Sequence, residues 1–293
     1  MIIVSIVVLA YNHEKYISET IESIKKLKYS LKKEVIIIDV GSTDGTLKEI
    51  KKAAADIQKV TIISENAMSF SACFNNAYHL AQGEYICVLN GDERLTPESI
   101  DLLYNVAKEN NIDFVVGERG THNLKLDSSN NIKKDFNIIY EPIRDILTSK
   151  KFYKTGLASG GAFIKRSLIE KVGGSDIGCF YPDLSIGLRC GKYSHFAIVK
   201  AVICFKQSEV TIDQKEFNVY DCLQAVSNFI DNHSEIAQNN IQLFYKFLYK
   251  MVLSIGKKRL YNTLKMIVSI YQFKHHSLSD LKAAYRQELK KLR

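Results

Sequence analysis

Val35-Ile-Ile-Ile-Asp39-Val-Gly-Ser-Thr-Asp-Gly45-Thr46 runs from an unbroken apolar segment into a polar, glycine-bearing turn. A β-branched run of this kind suits a strand covered on both faces, and such strands belong to parallel sheets with crossover helices. The period then changes, because Leu47, Ile50 and Ala54 recur at helical spacing. The same phrase repeats through the first half of the chain. Ile2–Ala10, Glu34–Asp39, Val60–Ser64, Glu84–Asn90 and Asp113–Gly117 read as strands. Between them, Tyr16, Ile17, Ile21 and Ile24 mark one helix, and Phe74, Ala77, Leu80 and Ala81 another. Thr96-Pro97-Glu98 predicts a further helix start, with threonine as cap and proline in the first turn. Repeated strand–turn–helix units predict a doubly wound α/β domain.

From about 118 to 157 the pattern weakens into a polar stretch that includes Asp127-Ser-Ser-Asn-Asn131. Ala158–Lys165 and Ala197–Phe205 are expected as strands, and Ser167–Val172 as a short helix. Beyond about 215 the reading is helical. Phe244, Phe247, Leu248, Met251, Val252 and Ile255 form one stripe, and Leu278, Leu281, Tyr285 and Leu289 another. The expected organisation is an α/β domain over 1–210 and a basic helical appendage over 211–293.

The net charge of +8 is concentrated in that appendage, at residues such as Lys257, Lys258, Arg259, Lys290 and Lys291. Such helices either present a solvated face or meet an anionic surface. Nucleic-acid binding is not expected, because no reading motif accompanies the charge and aromatic stripes at helical spacing are core. The six cysteines occur singly, without CxxC or metal-ligand spacing, and read as small buried hydrophobes in a reducing compartment. Ile2–Ala10 is too short for a membrane span and lacks signal-peptide flanks. The expected location is cytoplasmic, with any attachment peripheral at the inner membrane.

Ligands of open parallel sheets bind where strands end. Tyr11-Asn12 follow the first strand, Asp39 to Gly45 the second, and Asn90-Gly-Asp-Glu93 the fourth. Each cluster alone could be ordinary turn chemistry. Three at successive strand ends point to a nucleotide site.

These blocks resemble the inverting family 2 glycosyltransferases, which have a GT-A fold: a Rossmann-like mixed sheet with helices on both faces. Val4-Ser-Ile-Val-Val-Leu-Ala10-Tyr-Asn12 is similar to that family's opening strand, and Val35 to Thr46 to its second block. Gly83-Glu-Tyr-Ile-Cys-Val-Leu-Asn-Gly-Asp92 is similar to the strand that leads into its metal-binding DxD motif, and Phe70-Ser-Ala-Cys-Phe-Asn-Asn76 to the segment before it. The resemblance is close over about the first 100 residues and looser to about 205.

The resemblance implies that Ala10, Tyr11, Asn12, Asp39, Gly41, Ser42, Asp44 and Asn75 bind the nucleotide-sugar donor, with Asp39 accepting from the base. Asn90, Gly91 and Asp92 would form the diphosphate turn, and Asp92 and Asn90 the site for Mg²⁺ or Mn²⁺. Asn90 stands in place of the first aspartate, which removes a charge from the metal site. Val40 likewise replaces an acid or amide after Asp39. The run Val172-Gly-Gly-Ser-Asp-Ile-Gly-Cys-Phe-Tyr-Pro-Asp183 corresponds to the family's base-bearing segment. Asp183 is the implied general base, which also reads as a helix cap after proline. Pro182 and Ser185 stand where further acids are usual, and Arg189 matches an arginine on the following helix. Gly161 would line the acceptor side. Lys206 occupies the place of a metal-binding histidine and could neutralise diphosphate directly, whereas His195, on a predicted strand, reads as structural.

Two functions are compatible with this pattern. One is a transferase that moves sugar from a nucleotide donor, UDP by default, to a glycan or lipid-linked acceptor in bacterial surface polysaccharide synthesis. The other is a non-catalytic GT-A binding protein, suggested by the missing acids at 90, 182 and 185.

Overall fold

The computed structural model describes residues 2–28, 31–65, 69–121, 135–148, 160–208, 212–254 and 277–292. All seven residues of β1 (Val4–Ala10) are buried. It runs between β2 (Lys33–Asp39) and β4 (Tyr85–Asn90), parallel to both, and β3 (Val60–Ser64) joins outside β2, also parallel. Register pairs Ala10 with Asp39 and Leu9 with Asn90. The three polar clusters therefore emerge at one edge of the sheet.

Alternate residues of β1 serve opposite faces, as the pleat requires. Ile6 and Val8 pack with α1 (Ile17–Lys25), α2 (Thr46–Ala53) and α4 (Ser99–Asn110), while Val7 and Leu9 pack toward α3 (Phe70–Leu80). The helix expected from Thr96 starts later, at Ser99. The Thr96 hydroxyl donates instead to the Ile203 carbonyl at 3.3 Å, so a tertiary partner displaces the local cap.

Past β4 the sheet ceases to be all parallel. β5 (Glu93–Leu95), β6 (Phe114–Thr121), β7 (Phe136–Ile139), β8 (Ala162–Lys165) and β9 (Phe196–Lys206) complete the order β3-β2-β1-β4-β8-β6-β9-β5, with β7 on β9. β8 is antiparallel to β4 and β6, which gives a mixed sheet. β7 and α5 (Pro142–Thr148) lie within the stretch that showed no sequence pattern. Residues 122–134 and 149–159 of that stretch are outside the described residues. α6 (Arg166–Val172) and α7 (Asp183–Gly191) follow the expected order. His195 lies just before β9 rather than on it, with its ring edge-on to Tyr140 at 5.1 Å.

The C-terminal region forms α8 (Ile212–Asn232), α9 (Ser234–Asn239), α10 (Ile241–Ser254) and α11 (Leu278–Leu292). Its apolar stripes enter the same core as one face of the sheet, where Leu223, Phe229, Phe244, Leu248 and Leu281 join Leu184, Ile186 and Phe114. Tyr285 is fully buried and its hydroxyl donates to the Phe244 carbonyl at 2.8 Å. Tyr285→Ala is expected to cost about 3–5 kcal/mol in urea melts and Tyr285→Phe about 1 kcal/mol, since the second keeps the ring and loses one hydrogen bond. Five cysteines are buried, Cys222 is half-buried and all six are free thiols. Among the described residues no helix is long and apolar enough to cross a membrane.

Candidate active site

The turn after β4 is held from three sides. The Gly91 N–H donates to the Leu9 carbonyl at 2.8 Å, and its own carbonyl accepts from the Thr20 hydroxyl at 2.9 Å. A Cβ at Gly91 would stand 2.7 Å from His13 Nδ1 and 2.9 Å from Ala10 Cβ, so only glycine permits this approach. Asp92 is 2% exposed. Its carboxylate accepts from the Ser208 hydroxyl and lies 3.6 Å from Lys206 Nζ. The Asp92 carbonyl accepts from the Gln207 N–H at 2.9 Å, which fixes the end of β9 against the turn.

Beneath the turn lies Glu93, fully buried. One oxygen accepts from the N–H groups of Asn90 and Gly160, each at 2.8 Å, and the other meets Arg119 Nη1 at 3.3 Å. Burial pushes the Glu93 carboxyl above its ordinary value, while Arg119 and the two N–H groups pull it back. Glu93 thereby joins the Asn90-Gly91-Asp92 turn to the Gly160-Gly161 segment, where both glycines have positive φ (70° and 82°). Glu93→Ala would leave the Arg119 guanidinium and two N–H groups unmatched. A loss of about 3–5 kcal/mol is expected by chemical denaturation.

On the β2 side, Asp39 is 1% exposed and accepts from the Ser64 hydroxyl at 3.1 Å and the Ser42 N–H at 3.4 Å. The β1–α1 and β2–α2 loops brace each other. The Asn12 N–H donates to Ser42 Oγ at 2.9 Å, Asn12 Oδ1 accepts from the Thr43 N–H at 2.9 Å, and the Glu14 N–H donates to Asp44 Oδ2 at 3.2 Å. Asn12 and Gly41 turn this corner at φ 53° and 74°. Asn12, Ser42 and Asp44 thus shape the corner, while the Tyr11 ring is 43% exposed beside it.

The segment leading to Asp183 passes through Gly173 and Gly174, at φ 70° and 71°. Asn75 clamps it reciprocally: Nδ2 donates to the Ser175 carbonyl at 2.9 Å and Oδ1 accepts from the Ser175 N–H at 2.8 Å. Asp183 is the first residue of α7 with Pro182 in the cap position, so its carboxylate lies in the first turn. Burial, together with the charges of Asp183, Asp221 and Asp92, raises the Tyr181 phenol to about 12. Tyr181 thus lies within electrostatic reach of both Asp183 and Asp92. Burial disfavours charge on Arg119, but Glu93, Cys204 and Asp183 outweigh it and raise its pKa.

The structure thus gathers Ala10, Tyr11, Asn12, Asp39, Gly41, Ser42 and Asp44 at one edge, and Asn90, Gly91, Asp92, Gly161, Lys206 and Asp183 around the turn. Two expected residues are tied to the protein's own backbone. The Arg189 guanidinium, in the last turn of α7, donates through Nε and Nη2 to the Val172 carbonyl and braces the glycine turn from behind. The Asn75 amide is engaged with Ser175 as described.

Sequence reading did not single out His13, Glu93, Arg119, Ser208 or Asp221. Beside Gly91, His13 Nδ1 is buried and has no hydrogen-bond partner among the described residues, and there it can meet a ligand held at the turn. Burial lowers its pKa, with Asp92 opposing and Lys206 reinforcing. A histidine right after the strand-end Tyr11-Asn12 is the one available sequence signal.

A divalent ion fits this donor set in one form. Among the described residues no three His, Cys, Asp or Glu side chains could hold a metal together. One carboxylate at Asp92 and the Asn90 amide suit a hard ion whose remaining ligands are donor phosphates and water.

A parallel half-sheet with carboxylates at the ends of β2 and β4, continued by antiparallel β8, is the GT-A arrangement of nucleotide-diphospho-sugar transferases. The profile of glycosyl transferase family 2 matches residues 5–173, and this chain belongs to that family. It is similar to the poly(ribitol-phosphate) beta-N-acetylglucosaminyltransferase TarP of Staphylococcus aureus, 28% identical over 171 residues, 57% of this chain and 50% of the relative. The chain spans half or less of the length of the curated relatives it matches. Two solved structures share the fold. The mannosyltransferase PcManGT of Pyrobaculum calidifontis, in complex with GDP-Man and Mn²⁺, superposes with a TM-score of 0.62 at 16% identity, over 96% of this chain and 84% of that one. S. aureus TarS 1–349 in complex with UDP superposes with a TM-score of 0.59 at 14% identity, over 99% and 92%.

Proposed function

We propose that this chain is an inverting glycosyltransferase that moves a sugar from a nucleotide-diphosphate donor, a UDP-sugar, to a glycan or lipid-linked acceptor in bacterial surface polysaccharide synthesis. The observation that carries it is the pair of buried carboxylates, Asp39 and Asp92, at strand ends on either side of β1, with Lys206 3.6 Å from the second. In this reading the base lies against Tyr11 and is held by Asp39, and the diphosphate meets the Asn90-Gly91-Asp92 turn. Asp92 and Asn90 would hold Mg²⁺ or Mn²⁺, which when bound supplies charge neutralisation for the leaving diphosphate. Lys206 offers a second positive charge to the same oxygens.

Asp183 acts as general base. It takes the proton of the acceptor hydroxyl as that oxygen bonds to the anomeric carbon, and the bond from that carbon to the diphosphate oxygen breaks on the opposite side. Nucleoside diphosphate leaves and configuration inverts. Family membership and the poly(ribitol-phosphate) N-acetylglucosaminyltransferase relative support the reading, and the UDP complex of TarS supports the choice of nucleotide. The GDP-Man complex of PcManGT makes GDP the competitor to exclude. Peripheral membrane contact through the basic C-terminal helices belongs to the same proposal, because lipid-linked acceptors lie at that surface.

A thermal-shift screen of UDP, GDP and dTDP and their sugars, with and without Mn²⁺, tests the donor. UDP compounds are expected to stabilise most. Turnover is then measured with the best donor. Binding without turnover for any acceptor would favour the non-catalytic alternative.

A further inference from the structure

We infer that Asp221, on α8 of the C-terminal helical region, is a positioning residue for the segment that delivers Asp183, so that this region completes the active site. The inference rests on the reading of Asp183 as the base. Asp221 is 6% exposed, and its two oxygens divide between successive peptides. Oδ1 accepts from the Phe180 N–H at 2.5 Å and Oδ2 from the Tyr181 N–H at 2.9 Å. Gripping adjacent N–H groups with one carboxylate fixes the orientation of both peptide planes. The next residue, Pro182, has a locked φ and no N–H, so little freedom remains between the clasp and Asp183 at the head of α7.

Other elements hold the same segment. The Ser71 N–H of α3 donates to the Phe180 carbonyl at 3.0 Å, and the Phe180 and Tyr181 rings pack on Phe70 at 5.5 and 5.4 Å. Ser185 of α7 accepts from the Asp176 N–H at 2.8 Å. Among these anchors Asp221 alone comes from beyond residue 211.

A neutral acceptor could satisfy two buried N–H groups, whereas a carboxylate brings a charge that burial opposes. Burial, opposed by the two N–H groups and helped by Asp183 and Asp176, pushes the Asp221 carboxyl up to about 6. Among the described residues the titratable groups facing it are these two carboxylates, the Cys179 and Cys222 thiols and the Tyr181 phenol. Above about pH 6 the clasp is ionised and both hydrogen bonds are charge-assisted. Below it, protonation weakens the clasp.

The test compares Asp221→Ala, Asp221→Asn and Asp183→Asn with the wild type, all as full chains. Misplacing a base by about 1 Å costs on the order of 100-fold, so kcat is expected to fall about 100-fold in Asp221→Ala and less in Asp221→Asn, which keeps one acceptor. UDP affinity by calorimetry and donor KM should not change. The amides of Phe180 and Tyr181 should exchange faster with deuterium in both variants. Unchanged kcat in both Asp221 variants, alongside an inactive Asp183→Asn, overturns the inference and leaves the base reading standing. Equal losses of kcat and UDP affinity also overturn it, because they report general damage. Full turnover by Asp183→Asn defeats the base reading itself, and this inference with it. If Asp221→Ala does not fold, Asp221→Asn and the wild type decide, through a fall in wild-type kcat below about pH 6 that moves or vanishes in Asp221→Asn.

Discussion

Asp92→Ala is expected to reduce turnover by about 1,000-fold or more, the scale set by losing preorganised stabilisation of a developing negative charge. In the proposed reading Asp92 supplies the carboxylate for the divalent ion, and it also lies beside the cation at Lys206. Removing it takes away metal affinity and leaves the lysine unpaired beside the diphosphate. The two effects differ in sign for nucleotide binding. Without metal, UDP should bind the variant at least as well as the wild type, because an anion has left the turn. With Mn²⁺, the gain in affinity seen for the wild type should disappear. Calorimetry with and without Mn²⁺, beside turnover, reads both. A variant that keeps the wild-type rate would remove Asp92 from the mechanism.

The second large effect is expected at Asp183. Asp183→Asn conserves volume and the first turn of α7 but cannot accept the acceptor's proton. General-base catalysis contributes about 100- to 10,000-fold, and kcat should fall within that range while UDP affinity is kept. Single-turnover measurements with saturating donor isolate the step. The contrast with Asp92→Ala is diagnostic, since one variant loses the metal-dependent part of donor binding and the other only chemistry. A parallel loss of UDP affinity in Asp183→Asn would contradict this role.

Much of the parallel half of the sheet was legible in sequence, for a physical reason. Strands covered on both faces must be apolar until they leave the sheet, so the first polar residue marks the strand end where ligands bind. Asp39 and Asn90 stand at such transitions, and register places them on the two strands that flank β1. Lys206 is singled out through the resemblance, as the residue in the family histidine's place, and it lies 3.6 Å from Asp92. What stayed hidden is reciprocity between distant residues. Arg119 meets Glu93 across 26 positions, and Asp221 meets Phe180 across 41. Nothing in either local pattern names the partner. β7 and α5 escaped because four and seven residues are too few to display a period amid polar neighbours. Arg189 is singled out only by its match to the family's arginine on that helix, and the fold adds the Val172 carbonyl to which it donates.

The pairing of β5 with β9 sets Glu93 opposite Lys206, Arg94 opposite Phe205 and Leu95 opposite Cys204. The separation between the Asp92 anion and the Lys206 cation is thus gauged by a backbone ladder rather than by two free side chains. Adding or deleting one residue in β9 before Lys206 would turn the strand over, bringing a hydrophobic ring or an amide to the diphosphate in place of the ammonium. Length changes in this strand should therefore be far less tolerated than substitutions, and a homologue that alters its length would need a new source of positive charge at the turn.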